Sequence, residues 1–411
     1  MDIFEQLLQD VEIPPLIKVR YRIPADTVSD IGRAVYEALK RENTLDRIQA
    51  GQTVAIATGS REIANIAVIV AKLVSAIRRQ GGRPFIVPAM GSHGGATAEG
   101  QRAVLESFGL TEEAVGAPIR SSMETVALGR TQDGLEVHLD QSAAAADWII
   151  PIGRIKPHTD FRGPYESGLL KMIAVGLGKQ KGASICHRLG LPQMSDTIRR
   201  VARVTLSQAN ILFGLGIIEN AFHGTARIEA IPASRIEAEE PPLLLEAKRN
   251  IAAIPFKKVD VIVVEEMGKD ISGTGIDANV VGRSSTLGVW EPWAERIVIL
   301  DLTDKSHHNA NGVGLADIIT RQLFDKISLE ETYPNTITCA ETNAVKIPVI
   351  MPTEKLAIQC AIRTCTQIPE EGVRLVRIRN TLSLQEFFIS PALVGEANAH
   401  PDLTTEDFIW K

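Results

Sequence analysis

The sequence predicts an α/β fold of two domains, each with a mostly parallel sheet, and an active-site cleft between them. Three observations carry that expectation. Short β-branched runs end in Gly, Ser or His and pass straight into segments of helical periodicity, the mark of βα units. Those runs are apolar throughout instead of alternating, as strands covered on both faces are. The length of 411 residues, with 45% apolar and 23% charged side chains, suits two ordinary globular domains.

The first clear strand is Thr53 to Thr58. Gly59 and Ser60 turn the chain, and Arg61 to Gln80 places Ile63, Ile66, Ala67, Val70, Leu73, Val74 and Ile77 on one helical stripe, closed by Gly81 and Gly82. Pro84 to Val87 is the second strand, and after the loop Met90-Gly-Ser-His-Gly-Gly95 the hydroxyl of Thr97 caps a helix running to Gly109. Further strands are expected at Trp148 to Ile152, Ile211 to Gly214, Val259 to Val264 and Ile297 to Asp301. The composition shifts once, through the acidic, proline-bearing Glu237 to Pro242 and on to Pro255-Phe-Lys-Lys258. That shift divides the chain into a domain over 1–256, with 391–411 packing back on it through Phe408 and Trp410, and a domain over 257–390.

Net charge is −6, and Lys and Arg are scattered, which disfavours a nucleic-acid partner. No segment has the run of about 18 apolar residues that a membrane span needs, and Met1 to Arg20 lacks the pattern of a signal peptide. A cytoplasmic protein without membrane partners is expected. The cysteines Cys186, Cys339, Cys360 and Cys365 show no CxxC pairing, so neither a disulfide framework nor a zinc knuckle is indicated.

Ligands of open α/β sheets sit beyond the carboxyl ends of the strands. Here those loops carry Ser60 and Arg61, His93, Lys156 and His158, Glu266 and Lys269, and the polar run Asp304, Ser306, His307 and His308. So many cationic side chains point to one site for an anionic ligand. His93, between glycines, reads equally as a general base or as a loop histidine capping its own turn. His158, stiffened by Pro157, is favoured as functional because it is the second histidine at a strand end. Lys171 stands among Leu169, Leu170, Met172 and Ile173, where a lysine either snorkels to water or is desolvated and used chemically. Gly176, Gly178 and Lys179 suggest a phosphate-binding loop, though Gly178-Lys-Gln180 lacks the GKS or GKT of a P-loop. His307 and His308 fit a hydrogen-bonded loop better than a shared metal, and His138, His223 and His400 read as structural.

Arg61 after the first strand, His93 in its Gly-Ser-His loop, Pro157-His158, Lys171 within Ser167-Gly-Leu-Leu-Lys-Met-Ile, and His187 sixteen positions later together resemble the lactate racemase family. The Glu266-Met-Gly-Lys269 turn resembles that family's second-domain substrate site, and the likeness runs from about Thr53 to Asn311. The resemblance implies a racemase or epimerase of small 2-hydroxy acids that uses a nickel-pincer nucleotide, with enzymes of cofactor synthesis as partners. It makes Lys171 the tether, His187 the protein ligand of nickel, and His93 and His158 the acid/base pair; Gly176, Gly178 and Lys179 remain cofactor contacts. The domain over 1–256 then binds cofactor and the domain over 257–390 closes on substrate, with Arg61, Glu266 and Lys269 as substrate contacts and Arg61 or Lys269 gripping the carboxylate.

This sequence departs from the family pattern at Thr58, at Leu169-Leu170, at Thr159-Asp160 and at Glu266. The extra carboxylates disfavour a dianionic substrate and suit the hydroxyls of a polyol acid. A nicotinamide-dependent 2-hydroxy acid dehydrogenase is the alternative enzyme class, weakened by Thr58-Gly-Ser-Arg61 where GxGxxG would stand. A non-catalytic binder of anionic ligands is the third reading, separated from the first by metal content.

Overall fold

The computed structural model describes residues 3–23, 25–60, 62–286, 290–339 and 341–410, with the side chains of 335, 338, 339 and 407–410 outside that description. The chain divides into two compact units: Pro24–Ile251, and Met1–Ile23 together with Ala252–Lys411. Strand β1 (Leu16–Tyr21) therefore leaves the first unit at once and belongs with the far end of the sequence.

Within 24–251 follow β2 (Thr53–Thr58), β3 (Arg83–Pro88), the hairpin of β4 (Thr125–Arg130) and β5 (Glu136–Asp140), then β6 (Trp148–Arg154), β7 (Phe213–Glu219) and β8 (Thr225–Pro232). Five of them form a sheet in the order β3-β2-β6-β7-β8, parallel except for β8. Successive side chains on a strand point to opposite faces, and the core is sorted accordingly. Val54 and Ile56 enter one buried cluster with Ile86, Ile150 and the helix Ile66–Arg79, while Ala55 and Ala57 enter another with Phe85, Val87, Ile149 and the helix Met194–Gln208. Both faces are covered, which is why these strands read as unbroken apolar runs. The helix Ile66–Arg79 contributes Ile69, Leu73 and Ile77, all fully buried at the expected spacing.

The second unit holds β9 (Lys258–Met267), β10 (Trp293–Leu302), β11 (Ile318–Thr320), β12 (Val349–Met351), β13 (Leu375–Ile378), β14 (Glu386–Ile389) and β15 (Leu403–Trp410). Its eight-stranded sheet runs β12-β11-β10-β9-β13-β14-β1-β15, parallel through the first five and antiparallel thereafter. The sequence placed 391–411 on the domain of 1–256; β15 pairs with β1, a strand from within that span that lies with 252–411 in the unit of Met1–Ile23 and Ala252–Lys411. The physical reason is edge pairing: β14 offers a free ladder of N–H and C=O groups, β1 occupies it and β15 closes the next edge. No helix of the described residues is long and apolar enough to cross a membrane.

Candidate functional site at the carboxyl ends of the first sheet

In the unit 24–251, β2 lies between β3 and β6, so the loops that follow β3 and β6 rise on either side of the β2 turn. The first carries His93 and the second His158. The His93 loop is shaped by close backbone packing. Gly94 has φ +64°, and a Cβ on Gly100 would stand 2.0 Å from the Gly94 carbonyl. Thr97 caps the helix Ala98–Ser107, its hydroxyl accepting from the Gly100 N–H at 3.0 Å. The buried amide of Gln101 donates to the carbonyls of Gly91 (2.9 Å) and His93 (3.2 Å), which fixes the loop from beneath.

The His158 loop is closed at its base by the antiparallel bridge between Lys156 and Ser167. Its centre is Glu166, fully buried, which accepts from the His158 N–H at 2.7 Å and pairs with Lys248 at 2.6 Å. The His158 ring stacks on Phe161, with centroids 4.1 Å apart, and Lys171 lies over the same phenyl ring at 5.5 Å. Phe161 thus joins an expected acid/base residue to the expected tether.

The two histidines hold their protons on different nitrogens. His93 Nδ1 lies 2.8 Å from the Met90 carbonyl, which can only accept, so Nδ1 carries hydrogen and the neutral ring keeps its lone pair on Nε2. His158 Nδ1 accepts the Asp160 N–H at 3.0 Å, so the proton of its neutral ring sits on Nε2. In the neutral state His93 therefore carries its basic nitrogen at Nε2, where His158 carries an N–H donor.

Lys171 ends a single helical turn, Leu169–Lys171, and the next five residues, Met172–Gly176, form a π-helical turn in which the Leu177 N–H donates to the Met172 carbonyl at 2.8 Å. Such turns recur at functional sites. His187 closes the following helix, Lys179–His187. Its ring touches solvent, yet the protein around it strips hydration from the charged form. That desolvation lowers its pKa first, and the positive charges of Lys171 and His93 lower it further. His93, Lys171 and His187 are therefore electrostatic neighbours, and both causes favour the neutral imidazole of His187.

Lys179 needs correction. A phosphate-binding lysine must reach solvent, but Lys179 is fully buried, 3.1 Å from the equally buried Asp140, and donates to the Pro88 carbonyl (2.5 Å) and to Gln101 (3.0 Å). Through Gln101 it braces the His93 loop. Gly176 and Gly178 are buried glycines in close packing: a Cβ on either would stand 2.5 Å from the Ala89 carbonyl or 2.8 Å from that of Ala174. Arg61 lies outside the described residues. Glu266 and Lys269 belong to the other unit. There Glu266 accepts from Arg379 (3.0 Å) and Asn380 (2.8 Å), and the Lys269 ammonium donates to the Gly273 carbonyl at 2.8 Å. Near Lys269, His308 bonds the Lys326 carbonyl, as the hydrogen-bonded reading of that loop expected.

Glu240 has no signature in the sequence pattern. It lies within the helix Ile236–Asn250, 1% exposed, and its Oε2 accepts the Leu170 N–H at 2.9 Å. It thereby caps the turn of Lys171 from a different helix, since the N-cap there is Gly168, which has no side chain. A Cβ on Gly168 would stand 2.5 Å from Glu240 Oε1, so a larger residue there displaces the capping carboxyl. Burial pushes the Glu240 carboxyl up to about 7, against the pull of the Leu170 and Leu169 N–H groups.

This α/β unit carries the loops of His93 and His158 on either side of β2, with Lys171 and His93 as electrostatic neighbours of His187. Residues 8–197 match the family described as the lactate racemase N-terminal domain, so the likeness read from the sequence is borne out over the segment that holds His93, His158, Lys171 and His187. The fold is similar to that of the lactate racemase apoprotein from Thermoanaerobacterium thermosaccharolyticum, with a TM-score of 0.50 and 13% identity over 90% of this chain and 99% of that one. No curated protein sequence matches the chain.

Proposed function

We propose that the protein is a racemase or epimerase of a small 2-hydroxy acid. The observation that carries this reading is the opposite proton placement on His93 and His158, whose loops rise on either side of β2. Inverting a carbinol centre requires the hydroxyl proton to be taken by one group and given back by another, because the carbon is approached from both faces. With Nε2 of His93 holding a lone pair and Nε2 of His158 a proton, His93 accepts the hydroxyl proton of one enantiomer. His158 is an acid near neutral pH only as its imidazolium, so it must first take up a second proton. It then gives that proton to the oxygen once the 2-keto acid has turned and is left neutral. The reverse reaction starts with both protonation states exchanged.

The residues present fit a nickel-pincer nucleotide. His187 offers a nitrogen whose neutral form is favoured, Lys171 an amine near it, and the buried hydroxyl of Thr58 at the end of β2 has no hydrogen-bond partner among the described residues. Among the described residues no group of three or more His, Cys, Asp or Glu is set to hold a metal ion, so a nickel at His187 would take its other ligands from the cofactor. Lys171 would carry the group, His187 would ligate its metal, and the group would supply a reversible acceptor for the hydrogen on C2. Phe161 keeps the His158 ring and the Lys171 chain at fixed spacing. We assign the carboxylate grip to Arg61 or Lys269, to be separated by the KM of R61A and K269A.

The test is to produce the chain together with enzymes of cofactor synthesis, measure nickel, and assay single enantiomers of lactate and of polyol acids by chiral chromatography. Nickel-loaded protein that inverts one of these acids, and loses at least about 100-fold in rate in both H93A and H158A, supports the reading. Nickel-loaded protein that inverts none of them, or an H158A variant that keeps its rate, overturns it.

A further inference from the structure

The opposite end of the same sheet holds a second cluster of cations. A cavity of about 460 Å³ is lined by Arg78, Arg83 and Arg120 together with Thr53, Phe85 and Pro118, and no carboxylate lines it. Arg83 and Thr53 begin β3 and β2. The five steps of β2 from Thr53 to Thr58 span about 17 Å, so this cavity is separated from the loops of His93 and His158 by the length of the strands. It does not depend on the racemase reading.

Two of the three guanidiniums are held in place. Arg120 lies over the buried ring of Phe85, 3.9 Å from its centroid, while its own N–H donates to the Ile86 carbonyl. Arg83 Nε donates to the Gly51 carbonyl at 2.8 Å. Arg78 stands in the last turn of the helix Ile66–Arg79. None of the three forms an ion pair among the described residues. Neighbouring carboxylates are engaged elsewhere or line another cavity: Asp147 feels Arg83 but directs Oδ2 at the Thr53 N–H (2.7 Å) and hydroxyl (2.8 Å), Glu112 pairs with Arg102 (2.9 Å), and Glu113 lines the adjoining cavity with Arg78. Three guanidiniums thus line one cavity without an ion pair to any described carboxylate, in a protein of net charge −6, and an entering anion is attracted by all of them.

We propose that this cavity binds the phosphate of a small phosphorylated ligand, held among Arg78, Arg83 and Arg120. A monocarboxylate occupies one planar fork, whereas the several oxygens of a phosphate ester or diphosphate accept from three guanidiniums at once. The volume exceeds that of a phosphate ion and falls within the usual range of about 300–1,000 Å³ for small-molecule sites. The outer face of Arg120, whose inner face is taken by Phe85, is placed to stack on a planar group carried by that phosphate, as guanidinium planes stack on bases.

Isothermal titration calorimetry of the full chain with inorganic pyrophosphate at low ionic strength tests the site, in the wild type and in R83A, R120A and the double variant. Expected is one pyrophosphate per chain, weakened about tenfold by each substitution, the worth of one charge-assisted hydrogen bond, and lost in the double variant. All three arginines are exposed, so the variants keep their fold, which circular dichroism checks. A nucleoside diphosphate that binds more tightly than pyrophosphate only while Arg120 is present supports the stacking face. No heat at millimolar pyrophosphate, binding unchanged in the double variant, or retention on heparin without pyrophosphate binding would each overturn the proposal.

Discussion

Lys171 and Lys179 stand eight positions apart in one apolar, glycine-rich stretch, and their environments are opposite. Lys171 is half-buried over the face of Phe161 and raises the positive potential at His187. Lys179 is closed off from water, paired with Asp140, and takes φ +54° to get there, a left-handed backbone that costs about 1–3 kcal/mol in a residue with a Cβ. Burial lowers its pKa and Asp140 opposes that shift. The difference teaches that a lysine among leucines and glycines is assigned by its surroundings: Lys171 stays partly exposed over an aromatic face, whereas a carboxylate and two further acceptors turn Lys179 into a buried strut.

Exchanging the two roles gives the sharpest test. In K171A, activity of cofactor-loaded protein falls below detection while the melting temperature stays within a degree or two of wild type, because the removed chain leaves no buried charge behind. In K179M the order reverses. Asp140 is stranded in the core, and urea unfolding is expected to show a loss of about 3–5 kcal/mol, with activity per folded molecule falling only as far as Gln101 loosens its hold on the His93 loop. A K179M protein as stable as wild type would break the comparison. Between the two stands Q101L, which keeps the core apolar but drops the amide bonds to the Gly91 and His93 carbonyls. Its expected cost is about 1–3 kcal/mol, divided between stability and a lower kcat at unchanged KM.

The parts of the fold legible in the sequence were those whose signals are local. Thr53 to Thr58 is a strand over the stated residues, Thr97 caps the expected helix, and the strand-end loops do carry the histidines. Pairing across 380 residues, as between Arg22 and Asp402 beside β1 and β15, leaves no periodic trace, so the closing strands of the second sheet were missed. The partners of Lys179 were missed for a related reason: Asp140 and Gln101 belong to ordinary amphipathic segments, and only their spatial convergence makes a buried network. Phe161 had a faint signal, an aromatic residue three positions after His158 in a polar loop. Glu240 was hidden most completely, because Glu237 to Pro242 has the composition of a linker, yet the prolines sit inside a helix whose buried face includes that carboxyl.

Glu240 also yields the smallest and most exacting of the expected effects. Its carboxyl is raised to about 7 by burial, from 4.5 in the unfolded chain. Below pH 4.5 both states hold the proton and the group is neutral in its effect. As pH rises from 4.5 to 7 the unfolded chain releases the proton and the folded one retains it, so stability falls through that window and levels off above it. A shift of this size is worth about 3 kcal/mol at most. E240Q cannot titrate, and its amide oxygen can still accept the Leu170 N–H that caps the turn of Lys171. The variant therefore gains on wild type as pH rises, whatever the fixed cost of fitting its amide NH2 beside Gly168. Urea denaturation of both proteins at pH 5 and pH 8 checks this: the stability difference should move toward E240Q by about 2–3 kcal/mol between the two conditions. A difference that does not change with pH would mean that Glu240 ionises as easily in the folded protein as in the unfolded chain, and that its carboxyl reaches water despite the helix and the Gly168 turn around it.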